Sequence, residues 1–201
     1  MEYIQIVFLW SAYCALHSYL ISTSFTTFLA RSLKKSYAFY RAFYVLFSLA
    51  LLILLIKYTG QFDSAIIITD GPALNIARKV LVAGSLGMFF WAFFFNYDSL
   101  SFFGIRQILN MGKPTNPSGD LKRDGLLGLM RHPMYLALIV YLWCQTYTLM
   151  DIVVNTVLSV YVIIGTILEE KKLVLEFGDT YVKYQQEVPM LVPFTKARSN
   201  S

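Results

Sequence analysis

The strongest constraint on the fold is a long apolar stretch, Leu136–Leu168, enclosed between the sequences RHPMY at 131–135 and LEEKK at 168–172. A polar interruption near Met150–Asp151 predicts two helices of about 16 residues each, about 24 Å long at 1.5 Å per residue. Such a hairpin nearly spans the ~30 Å apolar core of a bilayer and returns. Its two ends therefore meet at one membrane surface. The groups expected to face each other there are Arg131, His132, Tyr135, Glu169 and Glu170.

The composition supports the membrane interpretation. Hydrophobic residues make up 57% of the chain and the mean hydropathy is +0.55. Charged residues make up 14%, against about 25% in ordinary soluble domains. Cys14 and Cys144 both lie in apolar segments, so we predict neither a metal site nor a disulfide framework. The net charge of +5 is typical of a membrane-surface protein, and the absence of a basic tract argues against nucleic-acid binding.

Three more apolar blocks precede the hairpin, at Ile4–Ser22, Ala42–Tyr58 and Val80–Asn96. The first has no basic n-region or cleavage site, so we interpret it as a retained span. With the hairpin, these blocks predict an all-α, integral membrane bundle of five transmembrane helices.

The regions outside the spans complete the predicted organisation. We expect one membrane domain over 1–201, with N-terminal helices at 1–97, a catalytic core at 98–193 and a tail at 194–201. The fifth helix should continue past Glu170 to Phe177, where Gly178 ends it. A further cytoplasmic C-terminal helix should follow.

The distribution of lysine and arginine predicts the orientation. Basic residues are frequent in the first and third loops and in the tail. The second loop has three near its ends, Lys57, Arg78 and Lys79, and the hairpin turn has none. We therefore expect the N-terminus outside, and the C-terminus and the hairpin mouth on the cytoplasmic side.

The hairpin mouth is the first candidate site. Pro133 stands where a helix starts and its missing N–H costs nothing, and Arg131 and His132 lie within one turn of Tyr135. Carboxylates at the end of an apolar span are costly unless they are paired or line a wet cavity. The alternative is a snorkelling arginine, an interfacial tyrosine and a solvated helix extension. A second polar set follows the third span, with ordinary interfacial residues as its alternative: Asn96, Asp98, Arg106 and Gln107.

Taken together, these motifs resemble the integral-membrane methyltransferases that use S-adenosylmethionine, a superfamily that includes the isoprenylcysteine carboxyl and phospholipid methyltransferases. RHPMY, the hairpin, LEE, FGDTYVKY and VPMLVP carry the resemblance. The chain is more similar still to the methanethiol S-methyltransferases, whose Asn, Asp and FGxRQ run is matched by Asn96, Asp98 and FGIRQ at 103–107. The resemblance covers Trp91–Pro193. Tyr97 stands where that family has histidine, and the fourth span lacks its proline near 146–148.

The resemblance implies a function and roles for these residues. The expected reaction is transfer of a methyl group from S-adenosylmethionine to a small thiol such as methanethiol, giving dimethyl sulfide. A prenylcysteine carboxylate or a phospholipid amine is the alternative acceptor, and membrane lipids are the expected surroundings. A non-catalytic permease or accessory subunit is the alternative from another class, although a permease would show more polar residues or helix breaks at mid-membrane.

The implied roles fall into three groups. The cofactor-binding residues are Gly125, Leu126, His132, Pro133, Tyr135 and Glu169. The residues facing the acceptor are Asn96, Asp98 and Arg106. The catalytic residues are Arg106, Arg131 and Glu170, with an arginine stabilising a thiolate or carboxylate acceptor. Which of Glu169 and Glu170 holds the cofactor is left open.

Overall fold

A computed structural model of the chain describes residues 1–69, 71–110 and 121–195. The described residues are almost entirely helical, with a single isolated bridge between Ile66 and Thr148. The helices, in chain order, are α1 (Glu2–Ile21), α2 (Thr23–Leu33), α3 (Tyr40–Thr59), α4 (Pro72–Trp91), α5 (Ser99–Phe102), α6 (Ile105–Leu109), α7 (Leu126–Leu129), α8 (Pro133–Cys144), α9 (Leu149–Phe177) and α10 (Asp179–Glu187). A 3₁₀ turn, Lys34–Phe39, precedes α3, and a π-helical turn, Ala92–Asn96, ends α4.

The chain divides into two compact units that are interleaved along the sequence. The first unit comprises Met1–Ile66, Asp98–Pro117 and Thr148–Leu158. The second unit comprises Ile67–Tyr97, Ser118–Tyr147 and Ser159–Ser201. The single-domain organisation stays a prediction.

Within the part of the chain that the structure describes, four segments are long and apolar enough to cross a membrane, as a multi-pass protein requires: Glu2–Ile21, Thr23–Thr59, Pro72–Asn96 and Leu149–Phe177. The two helices of the hairpin differ in length. Helix α8 has 12 residues, about 18 Å of helix, and α9 has 29. The predicted arms of about 16 residues each are therefore wrong, and the fifth span stays a prediction.

The hairpin turn also lies earlier than predicted, at 145–148. Asp151 belongs to the first turn of α9, where its carboxylate accepts a hydrogen bond from the Thr148 backbone N–H at 2.8 Å. The Thr148 hydroxyl accepts one in return from the Asp151 N–H at 3.2 Å. This reciprocal arrangement satisfies two N–H groups that a helix start leaves free. The polar interruption at Asp151 is thus a helix cap and not the turn itself.

The first unit is held by a small apolar core. Ile6 and Trp10 of α1 pack with Met150 and Val154 of α9, and all four are buried. The His17 ring lies 2.9 Å from the Tyr44 hydroxyl, so this histidine serves helix packing. At the α5–α6 turn, Gly104 has φ +80°, and a Cβ there would lie 2.7 Å from the Ala42 backbone nitrogen. Glycine is therefore required at that position.

In the second unit α4 packs along α8, and Arg78 explains how α8 can end so early. Its guanidinium donates to the Cys144 carbonyl at 2.9 Å and to the Thr146 carbonyl at 2.7 Å, and lies 3.9 Å from the centre of the Tyr147 ring. The last carbonyls of a helix lack partners within the helix, which is costly in an apolar layer. Arg78 supplies those partners and is buried, so it is not the surface charge that the orientation argument assumed.

The C-terminal part of the second unit folds back on itself. Helix α9 ends at Phe177, as predicted, and Gly178 turns the chain with φ +56°. Tyr181, Tyr184 and Val188 form a buried cluster. Leu173, Val174 and Phe177 of α9 pack against this cluster. This packing brings one face of α10 to the hairpin mouth.

Candidate functional site

The centre of the hairpin mouth is a buried ion pair between Arg131 and Glu170. Arg131 Nε lies 2.8 Å from Glu170 Oε1, and Nη2 lies 2.6 Å from Oε2. Both side chains are more than nine-tenths buried. A two-point pair of this kind fixes the plane of the carboxylate as well as its position. The predicted meeting of RHPMY with LEE is confirmed.

Three further side chains donate to the Glu170 carboxylate. His132 Nε2 and the Tyr181 hydroxyl lie 2.8 and 2.7 Å from Oε1, and Gln185 Nε2 lies 2.6 Å from Oε2. Counted with the two from Arg131, five hydrogen bonds converge on this carboxylate. A buried carboxylate keeps its charge when its oxygens are satisfied in this way. Glu170 is therefore the structural hub of the site.

The backbone of the tail holds the RHP segment in place. The N–H groups of Arg131 and His132 donate to the carbonyls of Pro189 and Met190, at 2.9 and 3.0 Å. Arg131 Nη1 donates to the Gln185 carbonyl at 3.1 Å and also to the Val188 carbonyl. Pro133 then starts α8 as its first residue, as predicted. Every N–H-bearing nitrogen of the Arg131 guanidinium thus has a partner inside the second unit.

Glu169 has a different environment from Glu170. Its Oε2 accepts a hydrogen bond from the Tyr135 hydroxyl at 2.7 Å, and its side chain is 32% exposed. The Tyr135 ring stacks on the His132 ring, with centroids 5.5 Å apart and an angle of 18° between the planes. The carboxylate thus retains acceptor capacity beside an aromatic face.

Two buried polar atoms at the site have no hydrogen-bond partner among the described residues. They are His132 Nδ1 and Asn96 Oδ1. Glu169 Oε2 lies 3.8 Å from His132 Nδ1, beyond hydrogen-bond distance. Unpaired buried polar atoms are uncommon in native proteins, and beside a binding site they suit a ligand that supplies the missing hydrogen bond.

Asn96 and Tyr97 reach the site at the end of α4. The Asn96 amide lies 3.5 Å from the Asp124 carbonyl, a long contact. Burial, followed by the charge of Glu169, raises the pKa of Tyr97. Tyr97, which replaces the family's histidine, therefore lies within electrostatic range of the Glu169 carboxylate. π-Helical turns such as the one that carries Asn96 are frequent at functional sites.

The loop before α7 is shaped by Gly125, which has φ +61° and ψ −126°, a conformation that favours glycine. The Leu127 carbonyl accepts a hydrogen bond from the Tyr184 hydroxyl at 2.5 Å. Arg123 donates to the Thr180 carbonyl at 2.6 Å and pairs with Glu187 at 3.2 Å. These contacts fasten the loop to α10, beside the hairpin mouth.

The tyrosines of α10 are held in their neutral form. Burial raises the pKa of Tyr181, and its hydrogen bond to Glu170 raises it further. Burial also raises the pKa of Tyr184 to about 12. Both hydroxyls therefore remain hydrogen-bond donors across the physiological pH range.

Asp98 and Arg106 lie in the first unit. Arg106 Nε lies 3.0 Å from Asp98 Oδ2, and the two side chains are 52% and 43% exposed. Asp98 also caps α5 by accepting from the Ser101 N–H at 3.2 Å and from its hydroxyl at 2.8 Å. Their assignment to the acceptor stays a prediction.

A cavity of about 790 Å³ adjoins the Glu170 side of the cluster. Its polar end includes Arg131, Glu170 and Gln185. Its apolar wall includes Val174, Leu175 and Val192. The volume is within the usual range for small-molecule sites, about 300–1,000 Å³.

Sequence reasoning missed two members of the cluster, Tyr181 and Gln185. Both lie in the segment DTYVKYQQE, whose charged and polar residues are typical of a solvated helix. The four-residue spacing of Tyr181 and Gln185 places them on one helix face and was the available signal. That this face would meet Glu170 depends on the turn at Gly178.

Comparison with known proteins identifies relatives of one kind. Methanethiol S-methyltransferase 1 of Bradyrhizobium diazoefficiens is 33% identical over 161 residues, which cover 78% of this chain and 55% of that protein. The enzyme of the same name from Pseudomonas deceptionensis is 36% identical over 101 residues, 49% of this chain and 38% of that protein. The chain thus spans about half, or less, of the length of these two relatives. No family model matches the chain, and no solved structure matches it.

A third relative is matched more completely. Methanethiol S-methyltransferase 2 of Bradyrhizobium diazoefficiens is 31% identical over 192 residues, which cover 94% of this chain and 73% of that protein. The similarity therefore extends over nearly the whole chain. On this match the chain belongs to the methanethiol S-methyltransferase family.

Proposed function

We propose that this chain transfers a methyl group from S-adenosylmethionine to methanethiol and so forms dimethyl sulfide. Family membership supports the reaction. One geometric observation supports the location of the site. At the hairpin mouth a fully buried histidine, His132, is fixed by Glu170 and leaves one ring nitrogen unpaired next to a partly exposed carboxylate, Glu169.

The residues of this cluster fit the cofactor. S-adenosylmethionine supplies an activated methyl group on a positively charged sulfur. Carboxylates and aromatic faces favour a cation, and Glu169 and Tyr135 offer both. A carboxylate also accepts two hydrogen bonds from a diol such as a ribose. Gly125 and Leu126 would close over the cofactor, and His132 and Pro133 would complete the group at the start of α8.

Glu169 is the better candidate of the two carboxylates for direct contact. Its side chain is 32% exposed and accepts one described hydrogen bond, whereas Glu170 accepts five. We assign Glu170 and Arg131, predicted as catalytic, to holding His132 in position.

The acceptor side is assigned to Asn96, whose buried Oδ1 has no partner among the described residues. Asp98 and Arg106 remain in this proposal on the family resemblance. A positive charge near the acceptor would favour a thiolate over a thiol. Most of the rate acceleration would come from positioning and from exclusion of water.

The proposed membrane arrangement has five segments, with α8 as a fifth that enters the membrane part-way and is capped there by Arg78. The N-terminus is outside, and the hairpin mouth and α10 face the cytoplasm, where the water-soluble donor is available. A small apolar acceptor reaches the same site from the bilayer.

Calorimetric titration of the detergent-solubilised protein with S-adenosylmethionine tests this site. Glu169→Gln should weaken binding by about tenfold or more, because a charged hydrogen-bonding partner is lost. Val192→Trp is the matched control, because Val192 is 54% exposed and lines the neighbouring cavity. If Val192→Trp weakens binding and Glu169→Gln does not, the cofactor belongs in that cavity and our assignment is wrong.

A further inference from the structure

The His132 ring is held in one orientation and one tautomer. Its Nε2 lies 2.8 Å from Glu170 Oε1. An ionised carboxylate is an acceptor and never a donor, so Nε2 must carry the hydrogen. Glu170 is itself fixed by Arg131, Tyr181 and Gln185, so the ring is locked in place by residues of three segments.

In the neutral form of this ring the lone pair is therefore on the second nitrogen, Nδ1. His132 is 2% exposed, and Nδ1 has no hydrogen-bond partner among the described residues. A carboxylate that orients one imidazole nitrogen and leaves the other free to accept a proton is the arrangement of a general base. The nearby Glu169, 32% exposed and with Oε2 3.8 Å from Nδ1, offers a route from this nitrogen to water.

We infer that His132 Nδ1 is the general base that deprotonates the acceptor thiol. The inference deepens the role of the proposed methyltransferase site and rests on that proposed function. The His132 ring face remains beside Tyr135, and the nitrogen edge meets the acceptor. Glu170 is the positioning residue of this base.

The step balances as follows. The S–H bond of the thiol breaks, the proton joins Nδ1, and its bonding pair stays on sulfur. That pair forms the new S–C bond to the methyl group while the bond from the methyl group to the donor's sulfonium sulfur breaks. The products are a thioether and the neutral thioether form of the donor. Once the spent donor has left Glu169, the imidazolium loses its proton to water by way of that carboxylate.

The burial of Nδ1 favours a small acceptor. His132 is 2% exposed, so a prenylated peptide or a phospholipid head group would have to displace more of the surrounding side chains than methanethiol would. A carboxylate acceptor would need no base, because it is already ionised at neutral pH. A buried base is useful when the nucleophile is a thiol.

Two thiols of similar size test the base. Ethanethiol must lose its proton to react, whereas 2,2,2-trifluoroethanethiol is more acidic because its fluorines withdraw electrons. The variant His132→Gln keeps an N–H group that can reach Glu170 and removes the base. At saturating S-adenosylmethionine, its turnover of ethanethiol should fall about 100-fold or more, the size of a general-base contribution. Its turnover of the fluorinated thiol should fall only a few-fold.

The outcomes are distinct. Equal losses with both thiols would overturn the base and leave the methyltransferase function intact. Wild-type protein that converts neither of these thiols nor methanethiol would overturn the proposed function, and the base with it.

A second measurement leaves His132 unchanged. The chain has two histidines, so nitrogen-15 NMR of labelled wild-type protein can be assigned with His17→Gln. We expect His132 to be protonated at Nε2 and unprotonated at Nδ1 at neutral pH. A ring protonated at Nδ1 at neutral pH, whether or not Nε2 is protonated as well, would overturn the inference.

Discussion

Arg131 and Glu170 pair through two hydrogen bonds of 2.8 and 2.6 Å, on opposite sides of a hairpin and 39 residues apart in the chain. Burying both charges is expensive, and the pair repays that cost only because every donor and acceptor is satisfied. Helix α10 contributes two of the satisfying groups, from Tyr181 and Gln185. The hairpin and the C-terminal helix are therefore coupled through one carboxylate.

Removing Arg131 should destabilise the protein strongly. Arg131→Met leaves the Glu170 carboxylate buried without its main partner, and losing one member of a buried pair costs about 3–5 kcal/mol. Denaturant unfolding in detergent measures the change. Lys183→Met is the control, because Lys183 pairs with Glu187 at 3.9 Å and is 72% exposed. That variant should lose less than about 1 kcal/mol. Equal stability of the two variants would show that the buried pair is not the hub.

Tyr181 should make stability depend on alkaline pH. Burial and the bond to Glu170 raise its pKa, so the folded protein holds the phenolic proton more tightly than the unfolded chain does. This contribution is complete below about pH 10, the ordinary tyrosine value, and is lost as the pH rises towards the raised value. Tyr181→Phe should be about 2 kcal/mol less stable at pH 8.

The difference between wild type and Tyr181→Phe should stay constant up to about pH 10 and shrink between about pH 10 and pH 12. Thermal unfolding across that range, with both proteins in the same detergent, gives the two curves. Parallel curves would mean that the Tyr181 hydroxyl does not titrate with folding.

The hairpin mouth could be predicted from hydropathy alone. The apolar stretch between residues 131 and 170 is long enough for two antiparallel helices, which place residue 170 at the same membrane level as residue 131. The end of α9 was predictable because Gly178 is a local signal. The length of α8 could not be predicted, because it depends on Arg78, which caps the Cys144 carbonyl from 66 residues earlier in the chain. The five hydrogen bonds to Glu170 were not predictable either. They need α10 to fold back on α9, and a polar helix carries no hydropathy signal for such packing.

Arg106 offers a clean test of the acceptor side. Its ion pair with Asp98 is half exposed, so Arg106→Ala should leave unfolding nearly unchanged. If Arg106 favours the thiolate, turnover with methanethiol should fall about 100-fold while the affinity for S-adenosylmethionine stays within a few-fold. Arg31→Ala, an exposed arginine of α2, is the control. Full activity of Arg106→Ala would make it an interfacial arginine and no more.

The orientation can be tested by cysteine labelling. In a background with Cys14 and Cys144 replaced by alanine, cysteines are placed singly at Gln61 and Lys183, which are both exposed. A membrane-impermeant maleimide should label position 61 from outside intact cells and position 183 only after permeabilisation. The reverse pattern would put α10 on the outer face, away from the cytoplasmic supply of cofactor.

The most direct measurement is product formation by the purified chain. Methanethiol is supplied with S-adenosylmethionine whose methyl group is deuterated, and the headspace gas is analysed by gas chromatography and mass spectrometry. The proposed function predicts dimethyl sulfide that carries the deuterated methyl group, formed at a rate that Glu169→Gln lowers. Protein that binds the labelled cofactor in the same preparation and yields no labelled dimethyl sulfide would contradict the assignment of methanethiol as the acceptor.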